Sequence, residues 1–196
     1  MLKNLCRRHG GQQAGFSTLE MTGGMIISLA LLTLALPSLA NATRSHNLSG
    51  AARVIAGQVT LTRTRAAAGF TQARVNVDLT AGTYKVEVCA IKNLATGGCS
   101  TFTAEGGTQS LPSGITFSFG PISLPAGTQS SIGQTGSILF NSRGAPIDAS
   151  TLGSTGNDAL YLRNTLGQYY AVTVSANGRV AIWRYDQVGT PAWKRA

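Results

Sequence analysis

Hydrophobic and polar positions divide this chain into three regimes. Residues 21–40 are apolar or small and uncharged, and between Phe16 and Asn41 the only ionisable side chain is Glu20. A tract of about 20 such residues, at about 1.5 Å of rise each, is long enough to cross a bilayer as a helix. After a polar stretch at 41–47, apolar or small residues recur at Leu48, Ala52, Ile55, Val59 and Ala66, with Arg53, Gln58, Arg63 and Arg65 largely between them. That spacing predicts a continuing amphipathic helix. Ala66-Ala67-Ala68 runs into Gly69, a plausible stop. One helix over 17–68 would be roughly 75 to 80 Å long, half in the bilayer and half packed on the domain that follows. Gly23, Gly24 and Pro37 weaken or kink it locally.

From Phe70 the period changes to two. Arg74-Val75-Asn76-Val77-Asp78-Leu79 alternates polar and apolar, Ala81-Gly82 supplies a turn, and Tyr84, Val86, Val88 and Ala90 continue the pattern. This predicts a hairpin with one buried face. Further strands are predicted over 115–119, 137–141, 159–164, 169–175 and 179–185, with Asn177-Gly178 as the strongest hairpin signal between the last two. Residues 104–114 and 121–136, rich in Gly, Ser, Thr, Gln and Pro, read as surface loops. No repeat recurs at a fixed period.

Length and composition refine this picture. The 196 residues suit one globular domain plus a membrane segment. The formal net charge of +9 makes nucleic acid and anionic membrane surfaces possible partners without proving either. Few charges and many Gly, Ser and Thr fit a loop-rich β domain outside the cytoplasm better than a helical bundle. Of the three cysteines, Cys89 and Cys99 enclose a short Gly-rich loop. A disulfide is the preferred reading in an exported domain; a two-cysteine metal site, with no His nearby, and two free thiols are the alternatives.

Glu20 is the oddity. A charge carried into hydrocarbon costs several kcal/mol unless it is paired, so a carboxylate at the head of the tract is a functional hypothesis. Cleavage after Gly15 would place the new α-amino group of Phe16 one helical turn from Glu20, or beside the Glu20 of a neighbouring subunit. The plainer reading is an acid favoured at a helix start by the macrodipole, lying at headgroup level.

At these residues the chain resembles type IV prepilins and type II secretion pseudopilins. The resemblance rests on a basic leader with Lys3, Arg7 and Arg8 ending in Gly15, then Phe16-Ser17-Thr18-Leu19-Glu20 and the apolar tract with Pro37. It implies an α+β pilin fold, a long membrane-spanning helix packed on a C-terminal antiparallel β domain. It also implies cleavage between Gly15 and Phe16 by a prepilin peptidase, N-methylation of Phe16, and assembly with other pilins through the helix and Glu20. Losing the leader would remove Cys6 and lower the charge to +6. The implied organisation is a leader at 1–15, a transmembrane and assembly helix at 16–42, its amphipathic continuation at 43–69 and a periplasmic β-rich domain at 70–196, held in the bacterial inner membrane until it joins a filament. Ile138-Leu139-Phe140-Asn141-Ser142-Arg143-Gly144-Ala145-Pro146 and Ser175-Ala176-Asn177-Gly178-Arg179-Val180 further resemble the GspH/FimT family of minor pseudopilins. A type II secretion pseudopilus and a type IV pilus share the same signal. The rival is an ordinary secretory signal, with 25–36 as its apolar region and Ala40-Asn41-Ala42 as its cleavage site.

Assembly through this tract would be van der Waals packing of like helices. Gly23, Gly24, Ser28 and Ala30 would allow close approach, or the two glycines would simply loosen the helix.

Enzyme chemistry finds no support. His9 lies in the leader, His46 in a polar stretch, and Asp78, Glu87, Glu105, Asp148, Asp158 and Asp186 lack acid-pair or calcium-loop spacing. No cofactor or metal is implied. Some FimT-type proteins bind DNA through Gly-Arg-x-Arg; here Gly178-Arg179-Val180-Ala181 lacks the second Arg. Arg184, Lys194 and Arg195 would supply charge, and Trp183 or Trp193 stacking surfaces. The plainer reading is an alternating strand with Val180 and Ile182 inward, followed by a frayed basic tail.

Overall fold

The structure, a computed structural model, describes residues 17–118, 134–186 and 192–196. The proposed leader, with Gly15 and Phe16, and most of the loop expected over 121–136 lie outside them. The described residues form an α+β protein: helix α1 (Thr18–Ala68), then short strands paired antiparallel in two sheets. They group into two compact units, one ending at Ala40 and the other beginning at Asn41.

In the first unit α1 opens on Ser17. Its Oγ accepts the Leu19 N–H at 3.3 Å, and its carbonyl accepts those of Glu20 and Met21 at 3.0 and 3.1 Å. Ser17 is thus an N-cap, and Ser17-Thr18-Leu19-Glu20 has capping-box spacing. The helix continues through Pro37. The hydroxyls of Thr22, Ser28 and Thr33 donate to the carbonyls of Leu19, Gly24 and Ala30, so these polar groups are satisfied within the helix. Leu19, Met25, Ile26, Leu29, Leu32 and Leu36 are all exposed. The segment is apolar and long enough to cross a membrane, and none of its described side chains is buried.

In the second unit α1 buries Leu48, Ala51, Ala52, Ile55, Ala56, Val59, Thr62 and Ala66, the face set by the i, i+3, i+4 spacing. Thr62 donates to the Gln58 carbonyl at 2.7 Å, which lets a hydroxyl sit in the core. The helix ends in a Schellman arrangement, with Thr71 N–H on Ala66 O at 3.1 Å and Phe70 N–H on Ala67 O at 3.3 Å. The left-handed residue is Phe70, at φ 47, one position after the expected stop at Gly69.

One sheet contains β1 (Ala73–Asp78), β2 (Thr83–Lys92), β3 (Cys99–Ala104), β4 (Gln109–Ser110), β6 (Ser137–Phe140) and β7 (Pro146–Ile147), in the order β3-β2-β1-β6-β7 with β4 also on β2. The other contains β5 (Ile115–Phe117), β8 (Asp158–Asn164), β9 (Tyr169–Val174), β10 (Val180–Asp186) and β11 (Ala192–Arg195), in the order β11-β10-β9-β8-β5. Val75, Val77, Ile138 and Phe140 from the first sheet, Leu160, Leu162, Val172 and Val174 from the second, and the buried helix face form one core. Val180 and Ile182 pack against it, as the alternation predicts.

Four strands depart from the sequence expectation. β4 is a two-residue strand inside the expected loop 104–114, and β7 is a two-residue return after Gly144. β3 is Ser/Thr-rich and largely exposed, with no apolar alternation to reveal it; pairing with β2 and the link from Cys99 hold it. The tail expected to fray is strand β11, with Trp193 opposite Tyr185 and Arg195 opposite Trp183. Aromatic packing accounts for this order: the Trp193 ring lies 5.7 Å from that of Tyr161 and 5.2 Å from that of Tyr185.

Candidate functional site

The proposed assembly determinant, Glu20, stands exposed in the first turn of α1. It forms no ion pair with any described residue. The helix N-terminus and the Ser17 cap favour an acid there, but neither supplies a full countercharge. Its proposed partner, the Phe16 amine, lies outside the described residues, so the pairing remains a proposal.

Two sequence motifs converge elsewhere. Asn141 Oδ1 accepts the Arg143 and Ala145 N–H groups at 2.9 and 3.0 Å, shaping the turn that carries Gly144 at φ 73. Gly178, at φ 76, donates its N–H to Ser175 O at 2.7 Å, and Arg179 N–H bonds Ser175 Oγ at 3.1 Å in the β9–β10 turn. From the helix, Arg63 Nε donates to the Gly144 carbonyl at 3.1 Å and packs beside Gly178. The helix and one turn from each sheet therefore meet at a single point. Both glycine motifs were legible in the sequence; Arg63, which looks like one more polar residue between core positions, was not.

The cysteines also come together. Cys89 and Cys99 are joined, with Sγ atoms 2.03 Å apart.

The basic residues considered for nucleic acid separate into three places. Arg179 is in the β9–β10 turn. Arg184 and Lys194 are directly opposite one another on β10 and β11, and Lys194 is held by Asp186 at 2.8 Å. Arg195 is opposite Trp183, on the face where Trp183 and Trp193 pack against Ala159, Tyr161 and Ala171. Trp183 Nε1 donates to Thr173 Oγ1 at 2.9 Å, so the ring is fixed to its own sheet.

Sequence reading treated the carboxylates as scattered, and missed a network. The hairpin register sets Arg74 directly opposite Glu87. Arg74 reaches the buried Glu87 carboxylate at 2.6 Å and Lys85 reaches it at 2.8 Å, while the Arg74 guanidinium lies 4.0 Å from the centroid of the Phe102 ring. Burial pushes the Glu87 carboxyl up, but hydrogen bonds and charge from Lys85 and Arg74 outweigh it and hold the group below its usual range. This is a paired structural carboxylate rather than a general base.

Asp148 and Asp158 have opposite environments. Asp148 caps its turn, accepting from Ser150 and Thr151, and is lowered to about 2. Burial, with the charge of Asp148 adding to it, raises Asp158 to about 6, and Asp158 Oδ2 has no hydrogen-bond partner among the described residues. His46 borders a groove with Val54, Leu111 and Pro112, an apolar setting that offers it no carboxylate.

No protein-family model matches the chain, and no curated protein matches it. Among solved structures it is similar to the minor pseudopilin EpsH from the type 2 secretion system of Vibrio cholerae. One structure of that protein matches with a TM-score of 0.46 at 13% identity, over 69% of this chain and 95% of that chain. A second matches with a TM-score of 0.46 at 12% identity, over 70% of this chain and 93% of that one.

Proposed function

We propose that this chain is a minor pilin-like or pseudopilin-like subunit, anchored in a bacterial inner membrane and assembled into a filament through its N-terminal helix. The observation that carries this reading is the uncovered apolar segment at 21–40, headed by the single carboxylate Glu20. An apolar surface of that length needs lipid or like helices around it, and a charge at its edge needs a partner. A prepilin peptidase acting between Gly15 and Phe16 would create that partner as the Phe16 α-amine, subsequently N-methylated. The residues beyond the anchor would then form a periplasmic β-rich domain, in a type II secretion pseudopilus or a type IV pilus.

Mass spectrometry of the mature N-terminus tests this directly. A chain beginning with N-methylated Phe16 is expected. A chain beginning at Thr43 and free of the membrane would identify an ordinary secreted domain instead.

A further inference from the structure

A surface groove of about 240 Å³, about equally polar and apolar, lies in the second unit, where helix residues Arg44 and Asn47 face the turn through Ser113 and Gly114, the end of β8 at Asn164 and, just past it, Thr165. Its volume is about eight times the ~30 Å³ share of a liquid water molecule, enough for a phosphate and a small polar substituent. The lining includes one cation and no acid. Arg44 has no carboxylate partner among the described residues, and the side chains of Asn47, Ser113 and Thr165 form no hydrogen bond there. The wall is nevertheless fixed. Asn164 is buried, its Oδ1 accepts the Leu166 and Gln168 N–H groups at 3.0 Å each, and its amide donates to Gln168 Oε1 at 2.8 Å. Ile115, paired directly with Asn164 across β5 and β8, bonds its N–H to Pro112 O at 3.2 Å. One guanidinium with an adjacent amide and two hydroxyls is a donor set suited to phosphate oxygens.

Position selects the source of that phosphate. Arg44 follows Ala40, the end of the apolar tract, by four residues. Even fully extended, four residues span no more than about 14 Å. The headgroup layer on each side of a bilayer is about 5–7 Å thick, and an arginine reaches along its own stem toward it. We infer that the groove bordered by Arg44, Asn47, Ser113 and Thr165 holds the phosphate of an anionic phospholipid headgroup. The inference rests on the membrane reading of residues 21–40.

The test uses the full chain in nanodiscs containing equal phosphatidylglycerol and phosphatidylcholine, transferred to detergent for native mass spectrometry of retained lipid. Phosphatidylglycerol should be retained at least fivefold over phosphatidylcholine. R44Q should abolish that preference, and T165L, which fills the groove without removing a charge, should reduce it. R53Q alters an exposed arginine outside the groove and should leave the preference intact. Equal losses in R44Q and R53Q, or an unchanged preference in R44Q, would overturn the site. Retention of inorganic phosphate by the detergent-held chain in an Arg44-dependent way, with no phosphatidylglycerol retained, would overturn its assignment to a headgroup. A chain that never enters nanodiscs removes the membrane reading as well; one that inserts without lipid preference removes this inference alone.

Discussion

A Cβ on Gly178 would stand 2.6 Å from the carbonyl oxygen of Gly144 and 3.0 Å from Arg63 Nε. The same position has φ 76, which costs an L-residue about 1–2 kcal/mol, and overpacking adds about 1–3 kcal/mol. G178A should therefore destabilise the protein by about 2–5 kcal/mol. Gly167 provides the control: its φ is 73, but nothing lies within 4 Å of its Cβ direction. G167A should cost only the conformational part, about 1–2 kcal/mol. Denaturant titration of the detergent-held chain, followed by tryptophan fluorescence, reads both; equal losses would contradict the close contact between the turns.

Asp158 should make stability depend on pH in the direction opposite to a salt-bridged acid. Its folded pKa, raised to about 6, exceeds the ~3.9 expected when unfolded. Its favourable contribution is complete below about pH 4 and is lost as pH rises through 6. Allowing for its partial solvent contact, the loss by pH 7 is about 1–2 kcal/mol. D158N should thus gain about that much over the parent between pH 4 and pH 7. A difference that stays constant across this range would refute the raised carboxyl.

Joining Cys89 to Cys99 closes a loop of sequence separation 10 and ties β3 to β2. By loop entropy this link contributes roughly 2–3 kcal/mol. The double variant C89S/C99S should lose that amount in the same titration, while C6S should not. Two reactive thiols in the non-reduced exported protein would contradict the pairing.

The sequence was most informative where one physical pattern dominated. Leu48, Ala52, Ile55, Val59 and Ala66 revealed the buried helix face because water excludes one side of an amphipathic helix. Val75 and Val77, alternating with Arg74 and Asn76, did the same for β1. β3 and β11 were not legible because partners elsewhere create them: β2 and Cys89 for one, Tyr161 and Tyr185 for the other. The helix ends at Ala68, directly before Gly69, as expected, but the left-handed residue of the cap is exposed Phe70 rather than the glycine, because the Schellman bonds to Ala66 and Ala67 fix that position. At the N-terminus, Glu20 stood out as an isolated charge, while its capping-box spacing to the N-cap Ser17 is equally present in the sequence.

That relation defines the decisive variant. Glu20→Gln retains the length and hydrogen-bonding ability of a capping-box residue but cannot carry the charge proposed to neutralise the Phe16 amine. In cells assembling the filament, the fraction of chain recovered in sheared filaments should be compared with the fraction left in the membrane. E20Q should be inserted and cleaved like the parent, yet its filament fraction should fall at least tenfold, equivalent to a loss of about 1.4 kcal/mol or more in assembly. Undiminished incorporation of E20Q would contradict the proposed charge pairing.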